Sequence, residues 1–230
     1  MIGVIGGNGV AATNRLLSLI EEKFTRNGAF RDAHHPEMLV WQATKAPSRS
    51  MYLEGRGESF IEDYVAIAKK MKDCGCDLAC ICCNTAHYAV DEIAQKSGLP
   101  FINLLKEVAD AAKKTGKKRF EIFASDGCVK FHLYDKAFAE VYPQAELVYP
   151  STERQALVTK VICNVKSRAR FSDNSDKNPA HLLNDLIKTA QAPVILGCTD
   201  LRNALNDKDK ICLDSLEVLA DAICESIDKE

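Results

Sequence analysis

An excess of positive charge is missing from this sequence. Its 230 residues carry 30 Lys and Arg against 32 Asp and Glu, a formal net charge of −2. No general electrostatic pull toward nucleic acid or an anionic membrane is expected, so neither is an expected partner. Long apolar runs are missing too, and none approaches the roughly 20 residues that cross a bilayer. The opening MIGVIGGNGV lacks the basic stretch of a secretory signal. Ten cysteines without such a signal point to thiols in a reducing cytoplasm, not to a disulfide scaffold. Paired C-x-x-C arms, the usual mark of a structural zinc site, are absent, and no metal is expected.

What is present is an ordinary soluble composition, 47% hydrophobic and 27% charged. Apolar runs alternate with amphipathic stretches. Strands are predicted at 1–5, 38–41, 78–82, 101–102, 119–123, 146–149, 194–196 and 211–213. Helices are predicted at 10–23, 61–71, 86–96, 104–114, 131–140, 153–166, 181–189 and 216–227. The polar segment 167–179 reads as a mobile surface loop. Strand–helix alternation with continuously apolar strands predicts an α/β fold with parallel sheets covered by helices.

The two halves echo each other. MIGVIGGNG opens one and RFEIFASDG the other. An apolar strand ends in Cys83-Asn84-Thr85 in the first, and another ends in Cys198-Thr199-Asp200 in the second, half the chain away. This suggests a duplicated lobe: residues 1–105 with 208–230, and residues 106–207. Ligands of open α/β sheets bind beyond the carboxyl ends of the strands, so two facing lobes would set the two thiols across one cleft.

The run CDLACICCNTAH (76–87) holds four cysteines, and strand alternation divides them. Cys80 and Cys82 share one face, Ile81 and Cys83 the other. Cys76, Cys80 and Cys82 read as core packing, as do Cys128 and Cys163 elsewhere. Cys83 stands at a strand-to-helix junction, where N–H groups and the helix dipole favour a thiolate, and Cys198 has the same setting. His87 either tunes Cys83 or caps a helix face. GNGVAA (7–12) fits a dinucleotide fingerprint, but no acid ends the second strand. A tight turn against a helix or ligand is the simpler reading.

IGGNGVAAT (5–13), CNTAH (83–87) and GCTD (197–200) resemble the aspartate/glutamate racemase family, whose amino-acid racemases use two cysteines and no pyridoxal phosphate. The resemblance implies two pseudo-symmetric α/β lobes, each a mostly parallel sheet flanked by helices, with the active site in the cleft between them and a homodimer as the assembly. It implies no cofactor and a small acidic amino acid as substrate. Cys83 and Cys198 match the two acid/base cysteines. Arg49 matches an arginine that holds a substrate carboxylate, and Asn84, Thr85 and Thr199 match residues that bind the α-carboxylate. Lys166 falls where a lysine assists the distal carboxylate. Three departures stand out. Gly6-Gly7-Asn8-Gly9-Val10 replaces G-G-M-G-P, and Ala124-Ser125-Asp126-Gly127-Cys128 replaces a G-T-x-x-T segment, so Asn8 and Ser125 line the expected pocket. Asp200 replaces a Glu.

Racemisation removes a weakly acidic α-proton from one face and returns a proton to the other. That needs a base, an acid opposite it, and donors that stabilise the intermediate charge. Two thiols that exchange roles meet the need. The resemblance implies that Cys198 deprotonates the L-isomer and Cys83 the D-isomer. Alternatives are a sister enzyme, such as a hydantoin racemase or a maleate-isomerase-like catalyst, and a noncatalytic amino-acid- or nucleotide-binding protein.

Overall fold

A computed structural model describes residues 1–171, 177–205 and 211–227. The first half runs β1 (Ile2–Gly6), α1 (Val10–Arg26), β2 (Met38–Gln42), α2 (Arg49–Leu53), α3 (Ile61–Asp73), β3 (Leu78–Ile81), α4 (Val90–Ser97) and α5 (Leu104–Lys114). The second runs β4 (Arg119–Ala124), α6 (Asp126–Lys130), α7 (Leu133–Val141), β5 (Glu146–Val148), α8 (Thr152–Lys166), α9 (Pro179–Lys188), β6 (Val194–Gly197), β7 (Ile211–Asp214) and α10 (Ser215–Ile227).

Every strand pairing is parallel, in two sheets ordered β2-β1-β3 and β5-β4-β6-β7. A lone parallel bridge from Ala79 to Phe101 extends the first sheet beyond β3. The two halves therefore repeat one order, as a duplicated lobe requires. In each, the order reverses beside the central strand, so the loops after β1 and β3, and after β4 and β6, flank a switch point where ligands bind.

Alternation sends each strand's side chains to two cores. Val4, Cys80 and Cys82 join Leu16, Val108, Phe120, Ile122, Ile195 and Leu216 in a central core shared by both halves. Ile5, Ala79 and Ile81 pack outward with Tyr64 and Met71 of α3 and Ile93 of α4. Phe123, Val194 and Leu196 pack outward with Val158, Val161 and Leu183. Each fully buried Leu, Ile or Phe contributes about 1.5–3 kcal/mol by leaving water. The division of Cys80 and Cys82 from Ile81 and Cys83 follows the predicted alternation, and Cys83 borders the outer core.

The tail divides in a way its sequence does not reveal. β7 pairs with β6 in the second sheet, although residues 208–230 were expected with the first lobe. At the end of β7, buried Arg202 of the turn after β6 lies 3.0 Å from Asp214. α10 then packs on both α1 and α5. Of the predicted loop 167–179, Arg168–Phe171 form a 3-10 turn and α9 begins at Pro179, while 172–176 lie outside the described residues. Residues 131–140 are not one helix. α6 precedes them, and the left-handed His132 (φ 48°) breaks the chain before α7. Cys163 is exposed on α8 and takes no part in the core.

Candidate active site

Both cysteines follow the carboxyl end of a strand and precede a 3-10 turn, which Asn84 caps after Cys83 and Cys198 itself caps in the second half. After Cys83 the turn spans Thr85–Ala89 before α4 begins; after Cys198 it spans Thr199–Ala204. An α-helix was expected directly after Cys83. His87 explains the tighter winding. Its backbone N–H donates to the Asn84 carbonyl at 3.1 Å, while its ring Nδ1 lies 2.8 Å from the Cys83 carbonyl oxygen. A carbonyl only accepts, so Nδ1 carries the proton. His87 thus holds the backbone of Cys83, not its thiol. Burial lowers its pKa below the ordinary value.

A chamber of about 100 Å³ lies between the strand ends. Cys83 and Cys198 line it together, each partly exposed, with Asn8, Arg49, Asn84, Thr85, Ser125, Lys166 and Thr199. These nine residues come from six loops and helices of both halves. Asp200, noted in the sequence only as a departure, also lines the chamber, as do Ser48, Ser50 and Ile162. Its position was a readable signal, for Asp200 stands two residues after Cys198 as Thr85 does after Cys83.

Each wall is set from behind. Ser48 caps α2, accepting from the Met51 N–H, and so places Arg49 at the first helical position. Arg49 donates from Nη1 to the Pro47 carbonyl at 3.0 Å, and its Nε has no partner. The buried Tyr64 hydroxyl donates to Asn8 Oδ1, leaving the Asn8 amide nitrogen unpartnered. Tyr134 donates to Asn84 Oδ1 at 2.6 Å, and Asn84 Nδ2 donates to Ser215 at 3.0 Å. One amide N–H of Asn84 remains for a ligand. Ser125 caps α6 and lies 2.7 Å from the Thr85 hydroxyl. Thr199 donates to the Cys82 carbonyl at 3.4 Å.

The loop glycines answer to packing. Gly7 has φ +80°, and a Cβ there would lie 2.6 Å from the Ala43 nitrogen. A Cβ on Gly9 would lie 2.1 Å from Asp200 Oδ1. The turn therefore brings its backbone against β2 and the second half's carboxylate, in line with the tight-turn reading.

Charge is concentrated on one side. Lys166 Nζ lies 3.0 Å from Asp200 Oδ2 and donates to the Asn8 carbonyl at 2.9 Å. Burial raises the Asp200 pKa, with Lys166 and Arg49 acting against it. Burial disfavours the Lys166 ammonium, but Asp200 more than offsets this and its pKa rises. Although Cys198 opens onto the chamber, packed atoms separate it from bulk water. That burial, with the Asp200 carboxylate nearby, pushes its thiol well above the usual range. The Asp200 backbone N–H and the Lys166 ammonium act against this rise, the direction expected for the start of a turn. Cys128 lies buried behind the chamber and is pushed up by the same cause. Among the described residues, no group of three or more His, Cys, Asp or Glu side chains is placed to hold a metal ion, and no helix is long and apolar enough to cross a membrane.

Comparison with known proteins agrees with this architecture. A family model described as Asp/Glu/hydantoin racemase matches residues 2–223. The broad specificity amino-acid racemase RacX of Bacillus subtilis (strain 168) is 22% identical over 209 residues, covering 90% of this chain and 88% of its own. The structure of an aspartate racemase from Picrophilus torridus superposes with a TM-score of 0.80 at 25% identity, covering 98% of this chain and 93% of that one. An aspartate racemase homologue from Pyrococcus horikoshii OT3 does so at 0.73 and 22%, covering 99% and 98%. Two parallel sheets flanked by helices are thus the two-lobed racemase fold, and the chain belongs to the Asp/Glu/hydantoin racemase family.

Proposed function

We propose that the protein interconverts the L- and D-isomers of an acidic amino acid, aspartate or glutamate, with Cys83 and Cys198 as the two acid/base groups and without pyridoxal phosphate. The observation that carries this is the convergence of both thiols on one small chamber from equivalent positions in the two lobes. One thiolate takes the α-proton. The opposite thiol gives its proton to the other face of the carbanionic carbon. The enzyme ends the turnover with the roles exchanged and the proton count unchanged. Burial makes a thiolate a stronger base, and donors fixed around the chamber can stabilise the intermediate charge.

The remaining lining groups suit two carboxylates. Arg49 can meet one bidentately. The one hydroxyl proton left over from the Thr85–Ser125 bond and the free N–H of Asn84 offer uncharged donors to the other, beside Thr199. The name of the Bacillus relative supports including neutral amino acids in any assay. The same reading carries a homodimer and a cytoplasmic setting, and the free thiols from Cys74 to Cys83 suit a reducing compartment.

The test is α-proton exchange. Purified protein is incubated in D2O with each isomer of aspartate and glutamate, without pyridoxal phosphate, and followed by NMR. Loss of the α-proton signal together with appearance of the opposite isomer is expected. Thermal stabilisation by these ligands without exchange would instead point to a binding protein.

A further inference from the structure

The 100 Å³ chamber opens into a wide cleft of about 880 Å³. Asn8, Ser48, Arg49, Lys166 and Asp200 line both, so they form the ring between them. A substrate with its α-carbon between the thiols and its side chain directed outward meets this ring. Arg49, Lys166 and Asp200 are the charged residues that line the chamber besides the thiols. Two are cations, but one of these is already paired.

We propose that Asp200 sets the side-chain charge preference of the site, by occupying the Lys166 ammonium that a substrate's distal carboxylate would otherwise have to itself. The proposal rests on the racemase reading above and deepens it. Three features support it. The Lys166–Asp200 separation is 3.0 Å, a direct ion pair. The Asp200 side chain is 4% exposed and the Lys166 side chain 46%, so the anion is the fixed member. Gly9, which lacks a Cβ, forms the wall against which the carboxylate rests. A distal carboxylate at the ring is attracted by Lys166 and repelled by Asp200, and the two effects largely cancel. An uncharged side chain of the same shape feels neither. The ring therefore moderates the preference for acidic over neutral amino acids that Arg49 and Lys166 alone would impose.

Aspartate and asparagine differ in charge and hardly in shape, so the ratio of their kcat/KM values reads this effect. Asp200 also stands close to Cys198, and its removal alters the reactivity of that thiol. That change applies to every substrate and cancels in the ratio. Asp200→Asn is expected to raise the aspartate/asparagine ratio at least fivefold; a smaller rise, no change or a fall overturns the proposal. Lys166 is half exposed and water can solvate it once Asp200 is neutral, so the fold is expected to persist. Should circular dichroism show that it does not, Asp200→Ser is judged by the same criterion. Wild-type protein that exchanges the α-proton of neither amino acid overturns the racemase reading, and the proposal with it. Wild-type exchange with an unresponsive ratio overturns the role of Asp200 alone.

Discussion

The Cys83 and Cys198 sides of the chamber are the same construction with different side chains. Each cysteine lies between the strand beside the central one and a 3-10 turn. Each is followed two residues later by a side chain that reaches the first loop of the opposite lobe. On one side this contact is Thr85 with Ser125, two hydroxyls 2.7 Å apart. On the other it is Asp200 against Gly9, with Lys166 joining the carboxylate to the Asn8 carbonyl. One clasp is neutral and the other is an ion pair. The two halves share the frame, and the second residue after each cysteine breaks its symmetry. Proton transfer needs the frame on both sides. Recognition of a substrate with two unlike ends needs the difference.

The largest effect expected tests what the two sides share. Cys83→Ser and Cys198→Ser each replace a thiol by a hydroxyl of similar shape and far higher pKa. Each should lower the rate of racemisation at least a hundredfold, the range that a positioned acid or base contributes. Optical rotation of an aspartate solution measures it. Full racemisation by either variant would mean that the two thiols are not a pair.

Much of this arrangement was legible beforehand, for a physical reason. Parallel strands covered on both faces read as continuous apolar runs, and period-2 alternation assigned Cys80, Cys82 and Cys83 to their faces before any coordinates. What was not legible depends on contacts between distant positions. Tyr64 fixes Asn8 and Tyr134 fixes Asn84 across wide gaps in sequence, with no local pattern to mark them. α2 and α6 have five residues each, too short for periodicity to show, and both rest on serine caps. The 3-10 turn after Cys83 depends on one histidine ring bonding back to a carbonyl. The membership of β7 in the second sheet is seen only in its pairing with β6 and in the contact of Asp214 with Arg202, neither of which its four residues mark in the sequence.

An intermediate effect tests the neutral clasp. Thr85→Val keeps the branched shape and removes the hydroxyl that meets Ser125. Ser125 retains the Cys128 N–H as donor, so no buried group is orphaned. The stability loss should stay near 1 kcal/mol, a typical net hydrogen bond, as read from the urea midpoint. The fall in kcat/KM should be about tenfold if the hydroxyl also donates to the substrate carboxylate, the magnitude of ~1.4 kcal/mol. A fall in stability with unchanged kcat/KM would make this clasp a fastening between lobes and nothing more.

The smallest effect separates the two sides by charge alone, and thermodynamics restricts where it can appear. The enantiomers of one amino acid have equal free energy, so kcat/KM must be the same in both directions at every pH. Asymmetry between the thiols can enter only KM and kcat separately, and by the same factor. With Cys198 assigned to the L-isomer, as the family resemblance implies, the free enzyme that accepts this isomer carries the Cys198 thiolate, which burial and Asp200 disfavour. No charge stands at the corresponding position beside Cys83, where the residue is Thr85. Removing the Asp200 carboxylate should ease formation of the thiolate that meets the L-isomer, so Asp200→Asn is expected to lower KM for the L-isomer severalfold relative to KM for the D-isomer, with kcat changing in proportion. Raising the pH from 7 to 8 increases the Cys198 thiolate, since a thiol with a raised pKa is still being titrated there, and KM for the L-isomer should fall. Initial-rate measurements with each pure isomer at both pH values check this. An L/D ratio of KM values that rises or stays the same in Asp200→Asn would mean that the thiols serve the opposite faces, or that Asp200 does not reach Cys198 once substrate is bound.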